Sequence, residues 1–253
     1  LQKVLAKLRL KKSSKKPASS SFQITSDKVK PLAEYALITK LEFFESHFKV
    51  HYTKGFRLSY PIPLPTSVAG IFASMLGIDR RDVVGRFGNY RFGAALANRH
   101  VESVEQVTFL QYGVNRRGVA KTHVLVNPSF YLVAACGVKK EVENMRRKIS
   151  SGLEYLPFGG QNDFFAKDWS IVGVNNVLVS SQIGNYLPSN LVGELTEGVT
   201  MEILPVMHKL GEPPEFYFIL DGRLISKQKL PVCSVNGKNI ALYKLDNFYT
   251  VGE

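Results

Sequence analysis

The chain reads as an α+β protein: a ferredoxin-like domain with an extended β-hairpin, followed by a small antiparallel C-terminal β subdomain. Three observations predict this. Leu37, Thr39, Leu41 and Phe43 fall on one face by period-two alternation, the mark of a strand. Two apolar stripes at helical spacing follow, Val68-Ile71-Phe72-Met75-Leu76 and Val138-Val142-Met145-Ile149-Leu153. Between them, 101–112 and 119–126 read as long strands joined by the glycine-bracketed tip Gly113-Val-Asn-Arg-Arg-Gly118. The order strand, helix, strands, helix, strand is the split βαβ pattern, which is also the fold of RNA-recognition modules.

Each element has a local reason. Leu1, Val4, Leu5 and Leu8 recur at helical spacing, yet Val4, Ala6, Leu8 and Leu10 also alternate, so the first residues fit either helix or strand. The Lys/Ser-rich stretch 13–21 reads as a linker, and 1–35 as a basic extension ahead of the first strand. Pro61, Pro63 and Pro65 hold Ile62 and Leu64 extended, so a helix begins no earlier than Thr66 or Ser67, whose hydroxyls suit a cap, and Gly77 ends it. The Arg-rich stretch 79–88 predicts a helical turn leading to a strand over 90–97. Asn127-Pro128 interrupts pairing, 130–136 resumes as a buried strand, and the second stripe carries Lys139, Arg146, Arg147 and Lys148 off its apolar side. A ferredoxin-like domain is thus expected over 36–169, with its hairpin at 101–126. From 170 to 253, short strands at 171–179, 199–206, 216–220 and 238–245 predict the C-terminal subdomain.

With 253 residues, 45% of them hydrophobic, the chain can bury a full core. No run of 18 apolar residues exists, so no membrane span is expected, and the start lacks the apolar core of a signal peptide. Cys136 and Cys233 sit in strand-like apolar contexts without metal spacing, which reads as buried thiols in a cytoplasmic protein. Residues 1–30 hold nine Lys or Arg against Asp27 alone, so +8 of the net +12 lies there. That run is either a solvated tail or a polyanion contact.

The stretch 46–78, SHFKVHYTKGFRLSYPIPLPTSVAGIFASMLGI, joins strand to helix. In it His47, Lys49, His51, Lys54 and Arg57 alternate with Phe48, Tyr52, Phe56 and Tyr60, a segment that reads as too polar to be buried. Cations for phosphates and rings for bases suit single-stranded nucleic acid. The spacing of "HFKVHYTK", "SYPIPLPTSVAGI" and "LGI" resembles the fifth Cas family of CRISPR systems, in the superfamily of repeat-associated mysterious proteins. Two further stretches, 121–136 (KTHVLVNPSFYLVAAC) and 153–168 (LEYLPFGGQNDFFAKD), follow in the family's order.

The resemblance, nearest to types I-A and I-B, implies an RNA-binding subunit of a Cascade-type complex. Such a subunit holds the 5′ handle of the crRNA, caps the filament of seventh-family backbone subunits, contacts the eighth-family large subunit, and meets target DNA only indirectly. No cofactor is implied. The residues expected at the RNA are His47, Lys49, His51, Tyr52, Lys54, Arg57, Tyr60, Arg116, Arg117, Lys121, His123, Gly159, Gly160 and Asn162. For Gly159 and Gly160 the residues allow either a tight turn or a close approach to phosphate.

One constellation suggests catalysis. Lys121 and His123, two apart on a strand, share a face, and with Tyr52 or Tyr60 they offer the base, acid and cation of a metal-independent endoribonuclease. The type I-C branch of the resembled family cuts precursor RNA with such a set, although Thr122 separates the lysine and histidine here. The alternative to plain phosphate contacts is therefore cleavage by Tyr52, Lys121 and His123. His47 and His51 lack a partner at metal-ligand spacing, and neither a P-loop nor G-x-S-x-G occurs.

Overall fold

The structure is a computed structural model, and it describes residues 31–51, 56–98, 100–111 and 116–248. Residues 1–30 of the basic extension, Tyr52, Lys54 and residues 113–115 of the hairpin tip lie outside the described residues. In chain order come β1 (Pro31–Phe43), β2 (Glu45–Ser46), β3 (Phe56–Arg57), α1 (Pro65–Leu76), α2 (Val83–Phe87), β4 (Arg91–Leu96), β5 (Val101–Gln111) and β6 (Arg116–Val126). Next are β7 (Ser129–Cys136), α3 (Lys139–Ser151), β8 (Ala166–Ile183), β9 (Tyr186–Pro188), β10 (Val192–Leu195) and β11 (Thr200–Pro205). The chain closes with β12 (Glu215–Asp221), β13 (Leu224–Val235), β14 (Lys238–Ala241) and β15 (Tyr243–Lys244).

The main sheet runs β10-β13-β8-β1-β7-β4-β15, with β14 paired to β13. Its centre, β8-β1-β7-β4, is antiparallel throughout and places the strands of the βαββαβ unit in the order fourth, first, third, second. That is the ferredoxin-like arrangement. Leu37 and Leu41 of β1 face α1 and α3 in one core with Val68, Phe72, Met75, Val142 and Ile149. Ala36 and Ile38, on the opposite face, pack with Val133, Cys233, Val235 and Ile240 under the β13–β14 hairpin. Asn236 and Gly237 close that hairpin with φ of 46° and 79°, the left-handed pair whose twist matches a two-residue turn.

The start of α1 differs from expectation in its chemistry. Pro65 is the first helical residue, where a missing N–H costs little, and no side chain caps the helix, so Thr66 and Ser67 lie inside the first turn instead of capping it. Gly77 ends the helix in the left-handed region at φ 70°, as its position predicts. The predicted boundary at 169/170 falls within β8, and β13 and β15 join the main sheet, so the two portions share one sheet and one core. The strand β13 has no counterpart among the predicted elements, because Lys227, Gln228, Lys229 and Pro231 break its apolar pattern. The register shift between Ile225 and Leu230 accommodates them.

A second sheet stands on this body. β5 and β6 pair from Val101↔Val126 to Gln111↔Arg116, and the free edge of β6 takes β2 antiparallel and β3 parallel. A third, small sheet orders β11-β12-β9.

Candidate nucleic-acid interface

The described residues after β2 divide between core and surface. His47 and Val50 are fully buried, Phe48 is 3% exposed and Tyr60 2%, whereas Lys49 and His51 are exposed. A short ladder ties the two ends of the segment together: Lys49 bridges Ser59, the Val50 amide donates to Leu58 (2.9 Å), and the Tyr60 amide donates to Phe48 (2.7 Å). The expectation of an unburied segment therefore fails at His47, Phe48, Val50, Ser59 and Tyr60. Phe48 meets Phe130 edge-on at 5.7 Å, while Tyr60 stacks on Phe218 at 5.4 Å and donates its hydroxyl to the Pro205 carbonyl (2.7 Å). For His47 and Tyr60 the side chains are buried in the fold, because distant groups satisfy them: the His123 carbonyl meets the imidazole, and Pro205 and Phe218 meet the tyrosine.

His47 is the point where distant stretches meet. Its Nδ1–H donates to the His123 carbonyl (2.8 Å), and its amide donates to the Gly159 carbonyl (2.8 Å). Burial holds the imidazole below its ordinary pKa. The His123 carbonyl opposes that shift, and Arg57, His123 and Lys49 add to it. The glycines have a steric role here. A Cβ on Gly160, whose φ is 91°, would lie 2.1 Å from the His47 carbonyl oxygen, and one on Gly159 would lie 2.6 Å from Ser46 Cβ. Their amides are engaged within their own turn, Gly159 donating to Phe164 (2.6 Å) and Gly160 to Phe158 (3.0 Å). Of the two alternatives for Gly159 and Gly160, a tight turn is what their internal bonds build. Asn162, at the tip of that turn, is exposed.

β3 brings the loop to the root of the hairpin, pairing Phe56 with Lys121 and Arg57 with Thr122. On β6, Lys121 is exposed, Thr122 buried and His123 half-buried, so Lys121 and His123 do share a face. His123 Nε2 lies 3.2 Å from Glu102 Oε2, and His100 Nε2 lies 3.7 Å from Oε1 of the same carboxylate. Across from them, burial and then the Glu102 charge push Glu202 up to about 7. Arg117 is exposed on β6; the side chain of Arg116 lies outside the described residues, as does Tyr52, so the set Tyr52, Lys121 and His123 is placed only in its last two members.

Sequence reasoning missed a group of exposed rings. Phe44 is 63% exposed, Phe165 52% and Phe158 36%; Phe158 and Phe165 bridge each other, and Lys167 Nζ sits 5.5 Å over the Phe44 ring. The doublets Phe43-Phe44 and Phe164-Phe165 carried the signal, since in extended chain the neighbour of an inward residue points out. Among the described residues no cluster of His, Cys, Asp and Glu is placed to hold a metal ion, and no helix is long and apolar enough to cross a membrane.

No family model matches the chain, and no curated protein matches it either. Solved structures similar to it include a chain of a CRISPR RNA-guided surveillance complex, 15% identical over 83% of this chain and 89% of that one, with a TM-score of 0.44. A CRISPR protein from Archaeoglobus fulgidus is 14% identical over 83% and 99%, with a TM-score of 0.45. A functionally uncharacterized protein from Streptococcus mutans is 12% identical over 83% and 93%, with a TM-score of 0.41.

Proposed function

We propose that this chain is a non-catalytic crRNA-binding subunit of a type I CRISPR interference complex, holding the 5′ handle of the guide and capping the backbone-subunit filament. One observation carries the reading. The three stretches that resemble the fifth Cas family, 46–78, 121–136 and 153–168, are far apart in sequence and converge on His47 through its bonds to His123 and Gly159. Around that junction Lys49, His51 and Lys121 are exposed, Arg117 is exposed further out on β6, and the rings of Phe158 and Phe165 stand open where Phe48 and Tyr60 are closed. Cations track a backbone and open rings stack bases, which suits a constant single-stranded handle. The large subunit would be a further contact, and target DNA would be reached through the guide.

Binding of labelled handle RNA tests this across a salt series. Replacing Lys49 and Lys121 together by Ala is expected to weaken binding and to lower the salt slope by about 1.4, the share of two phosphate contacts on a single strand. Unchanged affinity and slope would remove this junction from the RNA site.

A second reading draws on the His123–Glu102 contact of 3.2 Å, which pairs an imidazole with a carboxylate beside the exposed Lys121. It predicts cutting of repeat RNA in EDTA that His123→Ala abolishes. Intact RNA after incubation with the wild type rejects that reading.

A further inference from the structure

The helical face of the main sheet carries a groove with no part in the site above. It lies between α1, α2 and α3, has a volume of about 620 Å³, and its floor includes Leu76, Ile78 and Met145. Arg86, Arg147 and Lys148 stand on its rim. These three are exposed, and among the described residues none of them has an acidic partner; Arg147 reaches only the Asn144 amide oxygen. Neighbouring cations differ, since Arg81 is paired with Asp79 and Arg146 with Glu143. The one carboxylate in the lining, Glu141, accepts from the Tyr90 hydroxyl at 3.0 Å.

An apolar floor with unneutralised cations along its edge matches a ligand that is apolar on one side and anionic on its flanks. Nucleic acid fits poorly, because the aromatic residues here, Phe87 and Tyr90, are 2% and 7% exposed and pack edge-on to each other at 5.2 Å, leaving no open ring to stack a base. The chain's own front end fits poorly too, since residues 1–30 carry +8, and a second copy would bring a further +12. We infer that this groove docks an acidic amphipathic helix of a partner protein, with aliphatic side chains on the half-buried Leu76 and Ile78, over the buried Met145, and carboxylates on Arg86, Arg147 and Lys148. Docking of a helix into a groove between helices is a common recognition mode, read out by anchors at i, i+3, i+4 and i+7.

The test uses two synthetic helices of about 15 residues, long enough to form in water. Both carry one leucine stripe, flanked by Glu in one and by Lys in the other, and a uridine oligonucleotide serves as the third probe. Binding is followed by fluorescence anisotropy and by the methyl resonance of Met145. The Glu helix is expected to bind about tenfold tighter than the Lys helix, the combined share of three rim ion pairs, and to shift the Met145 methyl. Replacing Arg86 and Lys148 together by Glu should reverse that preference. If this variant does not fold by circular dichroism, Arg86→Gln with Lys148→Gln should reduce the preference while leaving the leucine contacts. Equal binding of the two helices, no binding of either, or a Met145 shift caused only by the oligonucleotide would each overturn the proposal.

Discussion

The two larger sheets use the same local geometry to opposite ends. In the main sheet, both faces of β1 are covered, by α1 and α3 on one side and by the β13–β14 hairpin on the other, so Ala36, Leu37, Ile38 and Leu41 are all fully buried. In the second sheet, β5 and β6 stand out with Val101 69% exposed, Val119 58% and Val104 55%, beside the exposed Lys121. Burial on two faces supplies stability, whereas exposure leaves side chains free for partners. The described residues of 47–60 divide between the two regimes.

The sharpest way to test that division is at Tyr60. Tyr60→Ala removes a buried ring stacked on Phe218 and is expected to cost about 3–5 kcal/mol in urea unfolding. Tyr60→Phe, which keeps the ring and loses the bond to Pro205, should cost about 1 kcal/mol. If Tyr60→Ala left stability unchanged and abolished RNA binding, the ring would belong to the outer regime after all.

Gly160→Ala comes next. Its left-handed φ and the 2.1 Å approach to the His47 carbonyl predict a loss of about 2–3 kcal/mol and loosening of the 158–163 turn, readable as faster amide exchange at Gly159. A Gly160→Ala protein as stable as the wild type would mean that the turn is not seated on His47.

Glu202 joins β11 to the hairpin root and gives a pH-dependent test. Its value of about 7, raised from 4.5, means that the folded state keeps a proton the unfolded chain has already lost between those values. Stability therefore falls as pH rises through that window. Glu202→Gln, which mimics the protonated form, should stabilise the protein at pH 8 by on the order of 1–2 kcal/mol, after screening of a partly exposed group, and should have little effect at pH 5. Thermal melts at the two pH values check this, and equal effects at both would rule out the retained proton.

The smallest expected effect is on the outer surface itself. Lys49→Ala or Val104→Thr should change stability by less than about 0.5 kcal/mol, since neither side chain contributes to a core. A larger loss at Val104 would place it in an interface within the folded chain.

Much of the scaffold was legible in the sequence. The stripes Val68-Ile71-Phe72-Met75 and Val142-Met145-Ile149 became the buried faces of α1 and α3, and Gly77 ended its helix. The hairpin, the interruption at Asn127 and the strand after it also followed from periodicity and turn chemistry. The strand β13 did not, because its polar run is accommodated by a register shift that no local pattern announces. Within the candidate site, the shared face of Lys121 and His123 was legible from period two, whereas the burial of His47 and Tyr60 was not.

Composition and spacing were enough to settle the helices and most of the strands, β13 apart, since propensity and periodicity act over a few residues. Which cations and rings of 46–60 reach solvent was decided by contacts made across the fold, by β6, by the 158–163 turn and by β12. A polar residue is buried when a distant partner satisfies it, as the His123 carbonyl satisfies His47 Nδ1, and no local sequence records that partner.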